Sequence, residues 1–235
     1  MGRSRAQRRG FSGRREVAIG LGVYALYLLA SRRKRGEAGR LQAARNAERV
    51  VAVERRLGIH VEPQLQELVL PYRRFLSVLN VAYVVSNAAL TVGWLMRLYR
   101  RRHPEFHRFR RAAVLTTLAC QPIFYYFPCA PPRSLDHLVD TIADVSGFDL
   151  DTGPVAQLYD PLAAMPSIHV AYAVVTAAGV AAAAESPTLR ALAPAYPPLV
   201  AAVVFVTANH YVLDAVAGAA IAGASLRLTR GRGET

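Results

Sequence analysis

Cysteine is scarce in this chain, acidic residues are outnumbered by basic ones, and no segment offers a signal-peptide cleavage site. The two cysteines, Cys120 and Cys129, stand one in an apolar run and one in a loop. Their spacing is neither metal-type nor redox-type, and it leaves the compartment open. Asp and Glu number 16 against 29 Lys and Arg, a formal charge of +13. Such an excess could point to nucleic acid, but the basic residues flank apolar runs and do not interleave with aromatics on one polar face, so no nucleic-acid partner is expected. The basic tail MGRSRAQRRGFSGRR leads into VAIGLGVYALYLLA and then SRRKR. With no small-residue cleavage site, the first apolar stretch is expected to stay in the mature protein. No internal repeat and no low-complexity domain is present.

What is abundant is apolar sequence, 53% of 235 residues, gathered into long runs between short arginine-rich stretches. That is the pattern of a membrane domain. Residues 75 to 99 are long enough to cross, residues 112 to 128 form a shorter span, and a polar loop follows from 129 to 163 with Asp140 and Gly153 among its acids and breakers. Residues 165 to 184 predict a fourth span with Pro166 at its first helical position. Residues 189 to 206 predict a fifth. Residues 207 to 209 predict a tight turn with Asn209 as N-cap, and a small-residue sixth span begins at His210. Residues 17 to 30 are the weakest crossing, about 21 Å at helical rise. Residues 36 to 70 place Leu41, Ala44, Ala47, Val51, Val53 and Leu57 at helical spacing among charges, which predicts an amphipathic helix on the membrane or across the bundle, or else a solvated hairpin.

The expected fold class is therefore all-α: an integral membrane bundle of about six transmembrane helices plus an N-terminal amphipathic helix. The expected parts are a basic tail (1–15), the first hydrophobic segment with the amphipathic helix (16–74), a membrane domain (75–226) and a basic C-terminal tail (227–235). If all six segments cross, one face carries 17 Lys and Arg and the other 12. The positive-inside rule then makes the first face cytoplasmic, in a multi-pass cell-membrane protein. If residues 17 to 30 do not cross, the balance inverts to 11 against 18.

The ionisable residues at the span ends carry the chemistry. His169 follows Pro166 and Ser167 into the first turn of a helix, where free backbone N–H groups favour an anion. His210 and Asp214, four apart, share a helix face, so the carboxylate can fix the imidazole tautomer. Arg133, in FPCAPPR, can bind phosphate through two parallel hydrogen bonds. Singly, each is weak. Together, on one membrane face, they supply a nucleophile, its orienter, a proton donor and an anion cradle, the requirements of phosphoryl transfer through a covalent histidine. No cluster of carboxylates, cysteines or histidines with metal-ligand spacing is evident beside them, so neither a metal nor a cofactor is expected.

AMPSIH resembles the Pro-Ser-x-His motif, and NHYVLDAVAG the His-x-x-x-Asp motif, of the type 2 phosphatidic acid phosphatase superfamily. With FPCAPPR, the three motifs are more similar to the branch of inositol phosphorylceramide synthase and its actinobacterial relatives. The resemblance implies that His210 is the nucleophile, Asp214 orients it and His169 protonates the leaving alkoxide. It further implies that Arg133, Ser167 and Asn209 hold the phosphate, and the charge count puts that site on the extracytoplasmic side. Tyr126 and Val204 stand where the superfamily usually has a lysine and an arginine, so the site has fewer cations than a lipid phosphatase. The implied substrate is a phospholipid, a lipid phosphate or a polyprenyl pyrophosphate, with either a polar alcohol such as inositol or water as acceptor. The competing reading, a transporter or channel with titrating histidines, would place its polar groups deeper in the spans.

Overall fold

The computed structural model describes residues 11–32, 36–147 and 160–230. Most of the N-terminal tail, the end of the C-terminal tail and the loop stretch containing Gly153 lie outside them. Among the described residues the chain is helical, with no strand beyond an isolated parallel bridge between Cys129 and Ala163.

Helix α1, Gly13–Arg32, has 20 residues, or about 30 Å at helical rise. It is longer than the apolar run at 17 to 30 because charged residues at both ends continue the helix. At one end Glu16 pairs with Arg110 at 3.4 Å, and Phe11 packs against Tyr99, Phe106 and His107. Toward the other, the Tyr27 hydroxyl accepts the Asp160 N–H at 2.9 Å. The helix thus runs the length of the bundle.

Helix α2, Glu37–Leu57, buries Ala43, Asn46, Ala47, Val50, Val51 and Glu54. This corrects the expected stripe: Leu41, Val53 and Leu57 are exposed, because the face that packs on Cys129, Ala130, Ala164 and Tyr211 is small and partly polar. Gly58, at φ 69°, closes α2 in the left-handed conformation that glycine favours. Helix α3, Glu62–Val69, follows.

The expected span at 75 to 99 is bent. Helix α4, Arg73–Val81, leads through a π-helical turn, Ala82–Ser86, into α5, Asn87–Arg100. The two arms, Arg73–Val84 and Ala89–Arg100, meet at 47°, a bend with the extra-residue turn as its cause. Asn80 anchors α4 by donating to the Thr141 carbonyl at 2.6 Å. Helix α6, Phe106–Tyr126, is also longer than its apolar run. Helix α7, Thr141–Ser146, is capped by the Asp140 carboxylate.

Helix α8, Ile168–Ala183, is the centre of the bundle, contacting α5, α6, α10 and α11. Its N-cap is Ser167, so Pro166 lies before the helix and not at its first position. Helices α9, Pro187–Leu192, and α10, Tyr196–Val206, are joined by a 3-10 turn. Together they make Pro187–Val206 the one continuous helix, among the described residues, that is long and apolar enough to cross a membrane; the bent α4–α5 pair also qualifies if it forms one span. Helix α11, Val212–Leu228, starts after Tyr211. Neither Asn209 as its cap nor His210 as its first residue is what the structure shows. Gly218 of α11 lies so close to α8 that a Cβ there would stand 2.2 Å from the Ser167 carbonyl oxygen.

Candidate active site

The start of α8 and the start of α11 meet at one end of the bundle, opposite the end where Glu16 pairs with Arg110. The meeting is stitched through the backbone: the Ser167 N–H donates to the Asp214 carbonyl at 2.9 Å. Within it, His169 Nδ1 and His210 Nε2 are 3.1 Å apart. On its far side, His210 Nδ1 faces two oxygens, the Ala164 carbonyl at 2.8 Å and Asp214 Oδ2 at 3.4 Å. A nitrogen facing only acceptors carries the proton. His210 Nε2 therefore presents its lone pair, and His169 Nδ1 donates to it. Asp214 Oδ2 is itself fixed by the Tyr211 N–H at 3.0 Å.

This is the orientation a nucleophilic imidazole needs, and the expected partner Asp214 is joined in it by the backbone oxygen of Ala164. The two rings touch, so the site as it stands is closed: a phosphoryl group between them requires one ring to move aside. Tyr83, brought in by the π-helical turn, stacks on His169 with centroids 4.4 Å apart. An aromatic face there favours the imidazolium a proton donor must become.

Arg133 is 4% exposed and held from several directions. Its N–H donates to the Ala208 carbonyl at 2.7 Å, its Nε to Asn209 Oδ1 at 3.1 Å and its Nη1 to Asp140 Oδ2 at 2.6 Å. Ala208 adopts φ 51°, a conformation uncommon outside glycine and enriched where function holds the backbone. Asn209 donates to the Thr207 carbonyl and hydroxyl at 3.1 and 2.9 Å. Asn209 thus aims the arginine. The Ser167 hydroxyl accepts the Val170 N–H at 3.3 Å as the α8 cap.

Four contributors lie outside the sequence motifs: Tyr83, Asp140, Glu54 and Glu62. Glu62 Oε1 accepts the Val212 N–H at 3.0 Å and Glu54 Oε1 the Leu213 N–H at 2.7 Å, so both carboxylates cap α11 within four residues of His210. Burial raises the pKa of both, and the facing Glu62 charge raises Glu54 further. Burial, then the Arg55 and His137 charges, lower that of His60 between them. Glu54, His60 and Glu62 bring ligand atoms within 4.8 Å of one another. Two helices joined by a reversal at Gly58 bring these three residues together.

No curated protein and no solved structure matches this chain significantly. Residues 48–228 match the sequence profile of the PAP2 superfamily, a span that starts within α2 and contains all three motifs. The paired histidines thus sit in a matched region covering most of the sequence, and the chain belongs to the PAP2 superfamily, whose members are phosphatases and phosphotransferases acting on lipid phosphates.

Proposed function

We propose that this chain is a membrane-embedded phosphotransferase or phosphatase that acts on a phospholipid or lipid phosphate through a phosphohistidine at His210. The observation that carries this is the fixed tautomer of His210, with Nε2 toward His169 and Nδ1–H against Ala164 and Asp214. His210 Nε2 attacks phosphorus and forms an N–P bond as the P–O bond to the leaving alkoxide breaks. His169 gives that alkoxide its proton and, now neutral, takes one from the acceptor hydroxyl, whose oxygen displaces His210. Asp214 stabilises the cationic character of His210 throughout. Arg133, the Ser167 hydroxyl and the first-turn amides of α8 hold phosphoryl oxygens, with Asn209 steering the guanidinium.

The bundle is proposed to cross the membrane six times with the site on the extracytoplasmic side. Two features support this. The passage of α1 from the Arg110 end to the Tyr27–Asp160 contact sets Arg14 and Arg15 at the end away from the histidines, which supports the 17-to-12 assignment. Large apolar residues, among them Val17, Leu21, Val92, Leu199 and Val216, are exposed on several helices, where lipid would cover them.

The direct test is a mass-spectrometric product assay on the purified protein with candidate phospholipids and lipid phosphates, with and without inositol. A dephosphorylated or head-group-exchanged lipid is expected, with inhibition by vanadate. No turnover of any lipid phosphate under conditions that keep the protein folded would overturn the reading. The inositol arm separates transfer from hydrolysis, which share one intermediate.

His169→Ala is expected to slow substrates with a lipid alkoxide leaving group by about 10²- to 10⁴-fold. A p-nitrophenyl ester, whose leaving group departs unprotonated, should lose far less. Equal losses on the two substrates would remove His169 from the role of acid.

A further inference from the structure

We propose that Glu54, His60 and Glu62 form a binding site for one divalent transition-metal ion of the zinc class, which clamps α2 and α3 onto the start of α11. The inference goes beyond the phosphoryl-transfer reading and does not depend on it.

Three observations carry it. First, the acceptors are buried and unmatched. The side chains of Glu54 and Glu62 are wholly buried and that of His60 is 8% exposed, yet Glu54 Oε2, Glu62 Oε2 and both ring nitrogens of His60 make no well-formed hydrogen bond, although His60 Nδ1 lies against both oxygens. Buried polar atoms are rarely left so, and four in one cluster call for a ligand. Second, the charges need compensation. The Oε2 atoms converge on one imidazole nitrogen, and two carboxylates brought together out of water repel unless a cation or a proton lies between them. Third, the spacing fits. His60 Nδ1 is 3.0 Å from Glu62 Oε2 and 3.5 Å from Glu54 Oε2. Ligands about 2.0–2.1 Å from a tetrahedral zinc ion are separated by about 3.3 Å. Two carboxylates and a neutral imidazole form a borderline donor set that suits zinc better than magnesium or calcium, which prefer oxygen alone.

The surroundings leave room for a further ligand. His60 lines a cavity of about 590 Å³ with Arg55, Gly58, Pro63, Gln64 and His137. The His137 ring stands 6.2 Å from that of His60. Arg55 is the permanent cation on that rim, with the His137 imidazole beside it, and both are set against two carboxylates. The other oxygens, Glu54 Oε1 and Glu62 Oε1, hold the first amides of α11. The ion would thereby fix the helix that carries Asp214 without touching the reacting atoms.

The experiment is metal analysis and thermal melting of the purified full chain. About one ion per chain is expected after chelator-free purification and after stripping with EDTA and reloading with Zn²⁺, with a melting midpoint at least about 5 °C above the stripped protein. His60→Ala and Glu62→Gln should lose both the ion and the shift. Glu62→Gln keeps an oxygen for Val212, so it folds even if the alanine variant does not. Wild-type protein that neither retains a metal nor shifts its melting with Zn²⁺ or Mn²⁺ would overturn the proposal. So would a zinc shift that survives in Glu62→Gln.

Discussion

His210→Ala is expected to lower turnover of the lipid substrate by about 10⁴-fold or more, since no neighbouring group can replace a nucleophile. The ring is buried and hydrogen-bonded, so the alanine variant should also lose stability. Stranding the Ala164 carbonyl and one contact of Asp214 costs about 1–3 kcal/mol. His210→Asn separates the two effects. An asparagine amide can place its NH₂ near the position of Nδ1 and keep the donation to Ala164, but it has no nitrogen lone pair to offer phosphorus. The asparagine variant should therefore melt near wild type and be as inactive as the alanine variant. Incubation with labelled lipid phosphate and rapid acid-free quenching should trap label on the wild-type chain and none on either variant. Turnover within about 100-fold of wild type in a folded His210→Asn protein would place the nucleophile elsewhere.

Gly218→Ala is expected to impair both stability and activity although residue 218 carries no chemistry. Its Cβ would meet the Ser167 oxygen at 2.2 Å and the carbonyl carbon at 3.0 Å. Both are backbone atoms at the cap of α8, so no flexible side chain can give way. Helices α8 and α11 must separate by about 1 Å, an overpacking cost of about 1–3 kcal/mol. The same shift pulls His169 from His210, and a misplacement of that size costs about 10²-fold in rate. Gly223→Ala, on the same helix with nothing within 4 Å of its Cβ, is the control. It should melt at or above wild type by up to about 1 kcal/mol with unchanged turnover. Wild-type kcat in Gly218→Ala would show that the close approach is not needed for catalysis.

The motif residues were legible because each carries its chemistry in a short sequence window. A helix start after Pro-Ser places His169, whereas Asp214 meets His210 by reaching back over the Tyr211 cap and not by sharing a helix face with it. The small-residue pattern of the last helix likewise announced the close packing found at Gly218. What escaped was set by contacts between distant segments. Tyr83 looks like any aromatic of an apolar run, and only the π-helical turn swings it onto His169. Asp140 is one of several loop acids until α7 begins behind it and Arg133 reaches it. Asn209 resembles an N-cap by residue type, but the turn at Ala208 directs its amide to Thr207 and Arg133, and Tyr211 takes the cap. Of the apolar stripe expected on α2 only Ala47 and Val51 are buried, because the partner surface prefers alanine, asparagine and glutamate to leucine. The length of α1 was underestimated because Glu16 is neutralised by Arg110 across the bundle, a pairing invisible along the chain.

The ring-to-ring contact between His169 and His210 has a consequence for product inhibition. A resting enzyme whose two imidazoles bond each other has no vacant seat for phosphate, so every ligand binds only the fraction of molecules in which the rings have parted. A lipid phosphate brings its acyl chains, whose burial can offset that opening. Free inorganic phosphate brings only its charge. The parting lowers both affinities by the same factor, so under the proposed function the ligand with acyl chains has binding energy to spare and free phosphate is the weaker occupant.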